Sequence, residues 1–172
     1  MKSFSIRLFG VVHVIGLAAF LGSVFALIAV AQSHDSSGNW MEVAAGRADV
    51  MTIITYVTKP GLVVTLISGI MLLVQMKGLL RNRLMRWKGI LVLLLVINSH
   101  FIVIPAAQEL YEIAVSVSST QMQTPDSSGL VSTERFQAVL FRENIAGAVN
   151  LLLFISLTYL GLQLTRSKKR QP

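Results

Sequence analysis

Two histidines and a lysine lie within stretches of the sequence that are otherwise almost wholly apolar. His13 lies in the segment VVHVIGLAAFLGS, Lys59 begins the segment KPGLVVTLISGIMLL, and His100 ends the segment RWKGILVLLLVINSH. An imidazole can bind a metal ion, relay a proton or hydrogen-bond a neighbouring helix, and an ammonium group can pair with an anion. Because ionisable side chains are costly in apolar surroundings, these three are candidate functional residues.

The composition excludes a water-soluble globular protein. Hydrophobic residues make up 53% of the 172 residues and charged residues only 13%, whereas an average soluble domain has about 25% charged residues. The large hydrophobic share also excludes an intrinsically disordered chain. The sequence contains no cysteine, which excludes disulfides, thiolate metal ligands and a cysteine nucleophile.

Four apolar stretches are long enough to cross a bilayer, which takes about 20 residues of helix. They predict an all-α polytopic membrane protein, a four-helix transmembrane bundle that forms a single domain over residues 1–172. No alternation with a period of two competes with this helical interpretation. The predicted spans cover about residues 8–31, 52–76, 89–108 and 144–165.

The charged residues are distributed unequally between the two ends of the predicted bundle. Eleven of the 15 Lys and Arg residues, and none of the 8 Asp and Glu residues, lie before span one, between spans two and three, or after span four. Short loops rich in Lys and Arg stay in the cytoplasm, so both termini are predicted to be cytoplasmic. The net charge of +7 then reflects contact with anionic lipids of the bilayer and predicts no binding of nucleic acid.

Reporter fusions in the three connecting segments test this topology. We expect a fusion at Lys77 to report a cytoplasmic location, and fusions at Ser37 and Ser127 to report an external one. An external location for the fusion at Lys77 would contradict the four-span topology.

The two external connections are predicted to be mostly irregular. Residues 32–47 contain the turn-forming sequence SSGN, and the middle of residues 109–143 is rich in Ser, Thr and Gln. Helical patterning resumes near Thr133, a suitable N-cap that is followed by Glu134. Neither connection is large enough to be a catalytic domain, so any chemistry must take place among the helices.

The two histidines differ in their surroundings. His13 lies near the cytoplasmic end of span one with Gly10 and Gly16 on its face, and is either a ligand or a neutral side chain bonded to another helix. His100 lies deeper, on an otherwise apolar face, and needs a partner from another helix or a bound cofactor. At about 1.5 Å per residue the two differ in depth by roughly 10 Å, which disfavours them as the two axial ligands of one upright heme.

The cations near the external ends of the spans have more than one interpretation. Pro60 fits the first turn of a helix. The preceding Lys59 can extend to lipid headgroups, or turn inward to bind an anionic group or pair with Glu109 or Glu143. Arg142 lies at the same external level, at the start of span four.

Small residues and amides predict how the helices pack. Asn98 in span three is expected to hydrogen-bond a neighbouring helix. A stripe of small residues on span one is expected to face another helix, because small side chains let two backbones approach closely. The stripe consists of Ala18, Gly22, Ala26 and Ala29.

The order of these features resembles that of the HemJ-type protoporphyrinogen oxidases and of related small four-span bacterial membrane proteins, including the copper-resistance D-like group. The resemblance rests on the three segments quoted above and on FRENIAGAVNLLLFI at the start of span four. It implies a four-helix fold and a heme. Phe20 stands where the HemJ-type proteins have tryptophan, and their arginine and proline signatures are missing here, so the resemblance does not extend to the oxidase activity.

Two functions remain open at this point. In the first, the chain is a heme b-binding redox or electron-transfer protein, and if an enzyme, a membrane oxidoreductase. The candidate axial ligands are His100 and His13, Lys59 or Arg142 would lie near the propionates, and a quinone or porphyrin would be the partner. In the second, the chain is a non-enzymatic membrane subunit or small-solute handling protein with structural histidines. A homo-oligomer or a membrane-complex partner is compatible with both.

Overall fold

The computed structural model of the chain describes residues 2–35, 39–75, 83–121 and 129–168. All of these residues except Asn39 are helical, which confirms the predicted all-α fold. The chain is a multi-pass membrane protein by the length and composition of its helices. Four of them are long and apolar enough to cross a membrane: Phe4–Asp35, Trp40–Gln75, Arg83–Thr120 and Thr133–Gly161.

Two of the four helices contain a π-helical turn. In chain order, the described elements are α1 (Lys2–Asp35), α2 (Trp40–Ile53), π1 (Ile54–Thr58), α3 (Lys59–Gln75), α4 (Arg83–Asn98), π2 (Ser99–Val103), α5 (Ile104–Gln121) and α6 (Gly129–Lys168). The elements α2, π1 and α3 form one continuous helix, as do α4, π2 and α5. We call the end of the bundle at which α1 begins and α6 ends the basic end, and the opposite end the acidic end.

The helices extend well beyond the predicted spans at the acidic end. The second helix begins at Trp40, the third continues to Gln121, and the fourth begins at Gly129. Apart from Asn39 of the predicted SSGN turn, the described residues of 32–47 are therefore helical, and so are residues 109–121, where an irregular segment was predicted from residue 116 onward. The helix predicted to resume near Thr133 is present and begins earlier, at Gly129. The SSG of the first connection and residues 122–128 of the second lie outside the described part of the chain.

The extensions are helical because they share a hydrophobic core of their own. Residues of α2, α5 and the first part of α6 pack around Leu110, which is fully buried. Trp40 contacts Phe136 edge to face, with ring centroids 5.2 Å apart. We call this helical extension at the acidic end the cap. Its buried residues are Val43, Ala106, Leu110, Ile113, Ala114, Val117, Phe136 and Val139.

Within the spans, α1 packs along α3, and α4 packs along α6. The two pairs meet where Phe20 of α1, Leu95 of α4 and Leu157 of α6 share one buried cluster. Large apolar side chains remain exposed on each helix, among them Val14, Val63, Leu93 and Leu152. Apolar surface on every helix is what contact with a lipid bilayer requires.

The prediction that the stripe around Gly22 faces another helix is wrong. Ala18, Gly22 and Ala29 are exposed, and a Cβ atom built on Gly22 would meet nothing within 4 Å. A different face of α1 is buried, because that face carries the large side chain of Phe20 and joins the central cluster. Close approach of helices occurs instead at Gly61, where a Cβ atom would lie 2.9 Å from the backbone nitrogen of Phe20.

Both prolines in the spans follow a π-helical turn. Pro60 was expected in a first helical turn, but the helix begins at Trp40, so Pro60 lies in its interior directly after π1. Pro105 follows π2 in the same way. A proline lacks the amide hydrogen and its ring clashes with the carbonyl four residues earlier, and a π turn is one way in which a helix accommodates such a break.

Candidate functional site

His13 lies at the interface between α1 and α3. Its Nδ1 atom lies 2.9 Å from the carbonyl oxygen of Thr65 and 3.2 Å from the hydroxyl oxygen of Ser68. Because a carbonyl can only accept a hydrogen bond, Nδ1 carries the proton and donates it to Thr65. The Nε2 atom of a neutral ring is then the acceptor, and none of the described residues hydrogen-bonds it.

Gly69 of α3 lies against the His13 ring, and Lys88 of α4 is the nearby cation to be considered with it. A Cβ atom on Gly69 would lie 3.2 Å from Cε1 of His13, so a larger residue there would press on the ring. The ammonium group of Lys88 lies close enough to His13 for an electrostatic interaction. It also lies beside α6, 3.6 Å from the position of a Cβ atom on Gly161. Lys88 thus contacts the fourth helix, and its positive charge acts on the His13 ring across the bundle.

His100 lies in π2 and faces outward from the bundle. Its side chain is exposed, and its ring contacts Phe101 edge to face with centroids 5.1 Å apart. No residue in the described part of the chain hydrogen-bonds it. Of the two partners predicted for His100, a residue of another helix is therefore not found among the described residues.

The two histidines lie at different depths. Phe20 and Leu95 pack in the same cluster and so mark one level of the bundle. His13 comes seven residues before Phe20, and His100 five residues after Leu95, in helices that run in the same direction. At about 1.5 Å per residue, the two rings are separated by about 18 Å along the bundle. The structure does not bring them to one iron atom.

Asn98 connects the third and fourth helices, as predicted. Its Nδ2 atom donates to the carbonyl oxygen of Ala146 at 2.8 Å and to Oδ1 of Asn150 at 2.9 Å. Nδ2 of Asn150 in turn donates to the hydroxyl oxygen of Ser99 at 2.9 Å. These amides satisfy one another across the helix interface, which identifies them as packing residues.

The two cations proposed to lie near propionates are not close to His13. Lys59 is exposed on the bundle surface, and Gly61 packs against Phe20, about 10 Å along the bundle from His13. Arg142 donates from Nη2 to Oε2 of Glu109 at 2.7 Å. Of the alternatives for Lys59, pairing with Glu109 or Glu143 does not occur, because arginines bind both carboxylates, and its exposed side chain is placed to extend to lipid headgroups.

Arg47 is the most deeply buried charged residue among those described, with a fully inaccessible side chain. Its Nη1 atom donates to Oε2 of Glu143 at 2.8 Å. Its Nε atom donates to Oδ1 of Asp35 at 3.0 Å, and Nη2 donates to the other oxygen of Asp35. The guanidinium also lies over the ring of Phe136, 5.7 Å from its centroid. One side chain thus joins the first, second and fourth helices where the spans meet the cap.

Sequence reasoning placed Arg47 at the external side without a role, although the sequence holds a signal for its burial. Val43, Gly46, Arg47 and Val50 follow the spacing of one helical face, and all four are buried in α2. The absence of a side chain at Gly46 makes room for His34, because a Cβ atom on Gly46 would collide with the side chain of His34. An arginine on an apolar helical stripe indicates a buried ion pair.

Two open grooves lie on the bundle surface, and neither is lined by His13 or His100. The first, of about 550 Å³, lies between α4 and α6 toward the basic end and is lined by Trp87, Leu91, Ile155, Ser156, Tyr159 and Leu160. The second, of about 670 Å³, lies nearer the acidic end, and its lining includes Asn98, Phe101, Phe141 and Arg142. In the part of the chain that the structure describes, no three His, Asp or Glu residues are grouped to hold a metal ion.

The fold and these sites define an integral membrane protein built from four long helices, with a helical cap at one end. Comparison with protein-family models, with curated proteins and with solved structures found no match.

Proposed function

We propose that this membrane protein binds heme b and takes part in electron transfer, with His13 as an axial ligand of the iron. The hydrogen bond from Nδ1 of His13 to the carbonyl oxygen of Thr65 supports this proposal. Histidines that bind metals donate their other ring hydrogen to a carbonyl or carboxylate in the same way, which orients the ring and makes the ligating nitrogen more basic. In His13 that nitrogen would be Nε2.

The proposal involves one histidine of this chain rather than two. A separation of about 18 Å cannot be spanned by one iron atom, so His100 is no partner for His13 on the same heme. Lys88 is the cation near His13, and its ammonium group would pair with a heme propionate, a role that the sequence suggested for Lys59 or Arg142. Bound heme would supply one-electron redox chemistry, with a quinone or a porphyrin as the reaction partner in a bacterial inner membrane.

The absorbance spectrum of the purified protein tests this proposal. We expect a Soret band in the wild type that is lost or shifted in His13→Ala, because the variant removes the ligating nitrogen. His100→Ala is the matched control and should keep the wild-type band, because that side chain is exposed. An unchanged band in His13→Ala would contradict His13 as the ligand, and a wild type without heme after expression with added heme precursor would contradict the heme proposal.

The second candidate is a non-enzymatic membrane subunit or small-solute handling protein. The interhelical bonds of His13 and of the Asn98–Asn150 pair favour it, because they give polar residues of the spans a purely structural role. A wild type without heme whose His13→Ala variant loses thermal stability in detergent would support this candidate. A heme-containing wild type would contradict it.

A further inference from the structure

The groove between α4 and α6 has the lining of a site for a lipid chain. Trp87 and Leu91 are spaced by one helical turn on α4, and Ile155 and Tyr159 are spaced likewise on α6. These four side chains form two parallel apolar walls, open to the bilayer. Trp87, Ile155 and Tyr159 are at least half exposed in the bundle itself, so a chain of the surrounding lipid would cover them.

Polar groups lie in the groove beside the apolar walls. Tyr159 accepts a hydrogen bond at its hydroxyl oxygen from Nε2 of Gln163 at 2.8 Å, so its own hydroxyl hydrogen can be donated to a ligand oxygen. Ser156 donates to the carbonyl oxygen of Leu152 in its own helix and retains the capacity to accept. A phospholipid has ester and phosphate oxygens where its chains join its headgroup, and these can accept the hydroxyl hydrogen of Tyr159, whereas Ser156 has already donated its own hydrogen to Leu152.

The charges around this end of the groove have one sign. Arg83 and Arg86 are exposed, and Arg83 lies one helical turn from Trp87 toward the basic end. In the sequence, the segments before span one, between spans two and three, and after span four together contain eleven Lys and Arg residues and no Asp or Glu. Basic pockets between transmembrane helices at such an end bind anionic lipid headgroups.

We propose that this groove binds one anionic phospholipid from the leaflet at the basic end. One acyl chain lies between the walls formed by Trp87 and Tyr159, and the phosphate lies near Arg83 and Arg86. The site is independent of heme binding at His13.

Fluorescence quenching of Trp87 by phospholipids with brominated acyl chains tests the proposal at the groove itself. The protein has two tryptophans, and Trp40→Phe leaves Trp87 as the only one while keeping an aromatic ring against Phe136. In neutral detergent, brominated phosphatidylglycerol should quench Trp87 at a lower concentration than brominated phosphatidylcholine with the same chains. Equal quenching by the two lipids would overturn the proposal.

Two variants and one control measure separately how much the headgroup contacts and the apolar groove contribute to lipid binding. In the Trp40→Phe background, Arg83→Gln with Arg86→Gln should raise the half-quenching concentration of phosphatidylglycerol about 25-fold, because each cation near an anionic lipid contributes roughly fivefold in affinity. Ser156→Phe should weaken quenching by filling the groove, whereas Lys59→Gln, which removes an exposed cation elsewhere, should have no effect.

The proposal would be overturned by an unchanged half-quenching concentration in either the arginine variant or Ser156→Phe. It would also be overturned if Lys59→Gln raised the half-quenching concentration as much as the arginine variant. Equally effective competition by glycerol phosphate without acyl chains would overturn it as well, because the apolar walls would then contribute nothing.

Discussion

Replacing Arg47 with methionine is expected to lower the free energy of unfolding by about 3–5 kcal/mol, as is usual when one partner of a buried ion pair is removed. The side chain of Arg47 is fully buried, and its partners Asp35 and Glu143 are only 13% and 17% exposed. Methionine has a comparable length but no charge, so both carboxylates would lose their cation in a poorly hydrated place. Chemical or thermal unfolding of the protein in detergent measures the loss.

Arg135→Met is the matched control for this prediction. Arg135 also binds a carboxylate, with Nη2 2.9 Å from Oε1 of Glu109, but its side chain is 68% exposed. Because solvent screens such a pair, its removal should cost about 0–1 kcal/mol. Neutralising the carboxylates with Asp35→Asn and Glu143→Gln should restore part of the stability of Arg47→Met. Equal losses in Arg47→Met and Arg135→Met would show that the buried network does not stabilise the bundle.

The second large effect is expected for Gly61→Leu, which places a side chain where α3 approaches α1. A Cβ atom on Gly61 would lie 2.9 Å from the backbone nitrogen and 3.3 Å from Cα of Phe20. Because backbone atoms of a helix cannot move out of the way by a change of rotamer, as a side chain can, the two helices would have to move apart. We expect a loss of at least about 1–3 kcal/mol, the usual cost of overpacking a well-packed interface.

Gly22→Leu is the control, because it is the same substitution in the same membrane-embedded region. The surroundings of Gly22 are open within 4 Å, so leucine there should change the midpoint of thermal unfolding little. The sequence alone predicted the opposite, with the stripe around Gly22 as the packing face. A loss in Gly22→Leu as large as that in Gly61→Leu would mean that this stripe is covered by another protein surface.

The position of the candidate site could be predicted only in part. The sequence identified His13 and His100 as ionisable groups within apolar helices and favoured His100 as the ligand for its greater depth, because that judgement needs only the neighbouring residues. It could not show that His13 hydrogen-bonds the carbonyl oxygen of Thr65 on α3, or that the side chain of His100 faces outward from the bundle. A helix rotated about its axis by half a turn has the same sequence, and only packing against its neighbours fixes the rotation.

The sequence did not predict the helical cap, for a related reason. Residues 40–51 and 109–121 are less apolar than the spans, because the first range contains Glu42, Arg47 and Asp49 and the second contains Ser, Thr and Gln, which favour loops when considered alone. In the folded chain, Val43, Leu110 and Phe136 come from three different helices and bury one another. Their helical structure is stabilised by contacts between segments that are distant in the sequence, which local propensity does not record.

The sequence by itself determined that this protein has four membrane-spanning helices and that its charges are separated by end. Hydropathy and charge are sums over a local window, and a bilayer responds to those sums regardless of how the helices are arranged. Only the tertiary structure decided which glycines are packing sites, that Arg47 is buried between Asp35 and Glu143, and that His13 hydrogen-bonds Thr65 while His100 is exposed. Each of these depends on which helix faces are in contact, since burial and hydrogen bonding across an interface are properties of pairs of helices.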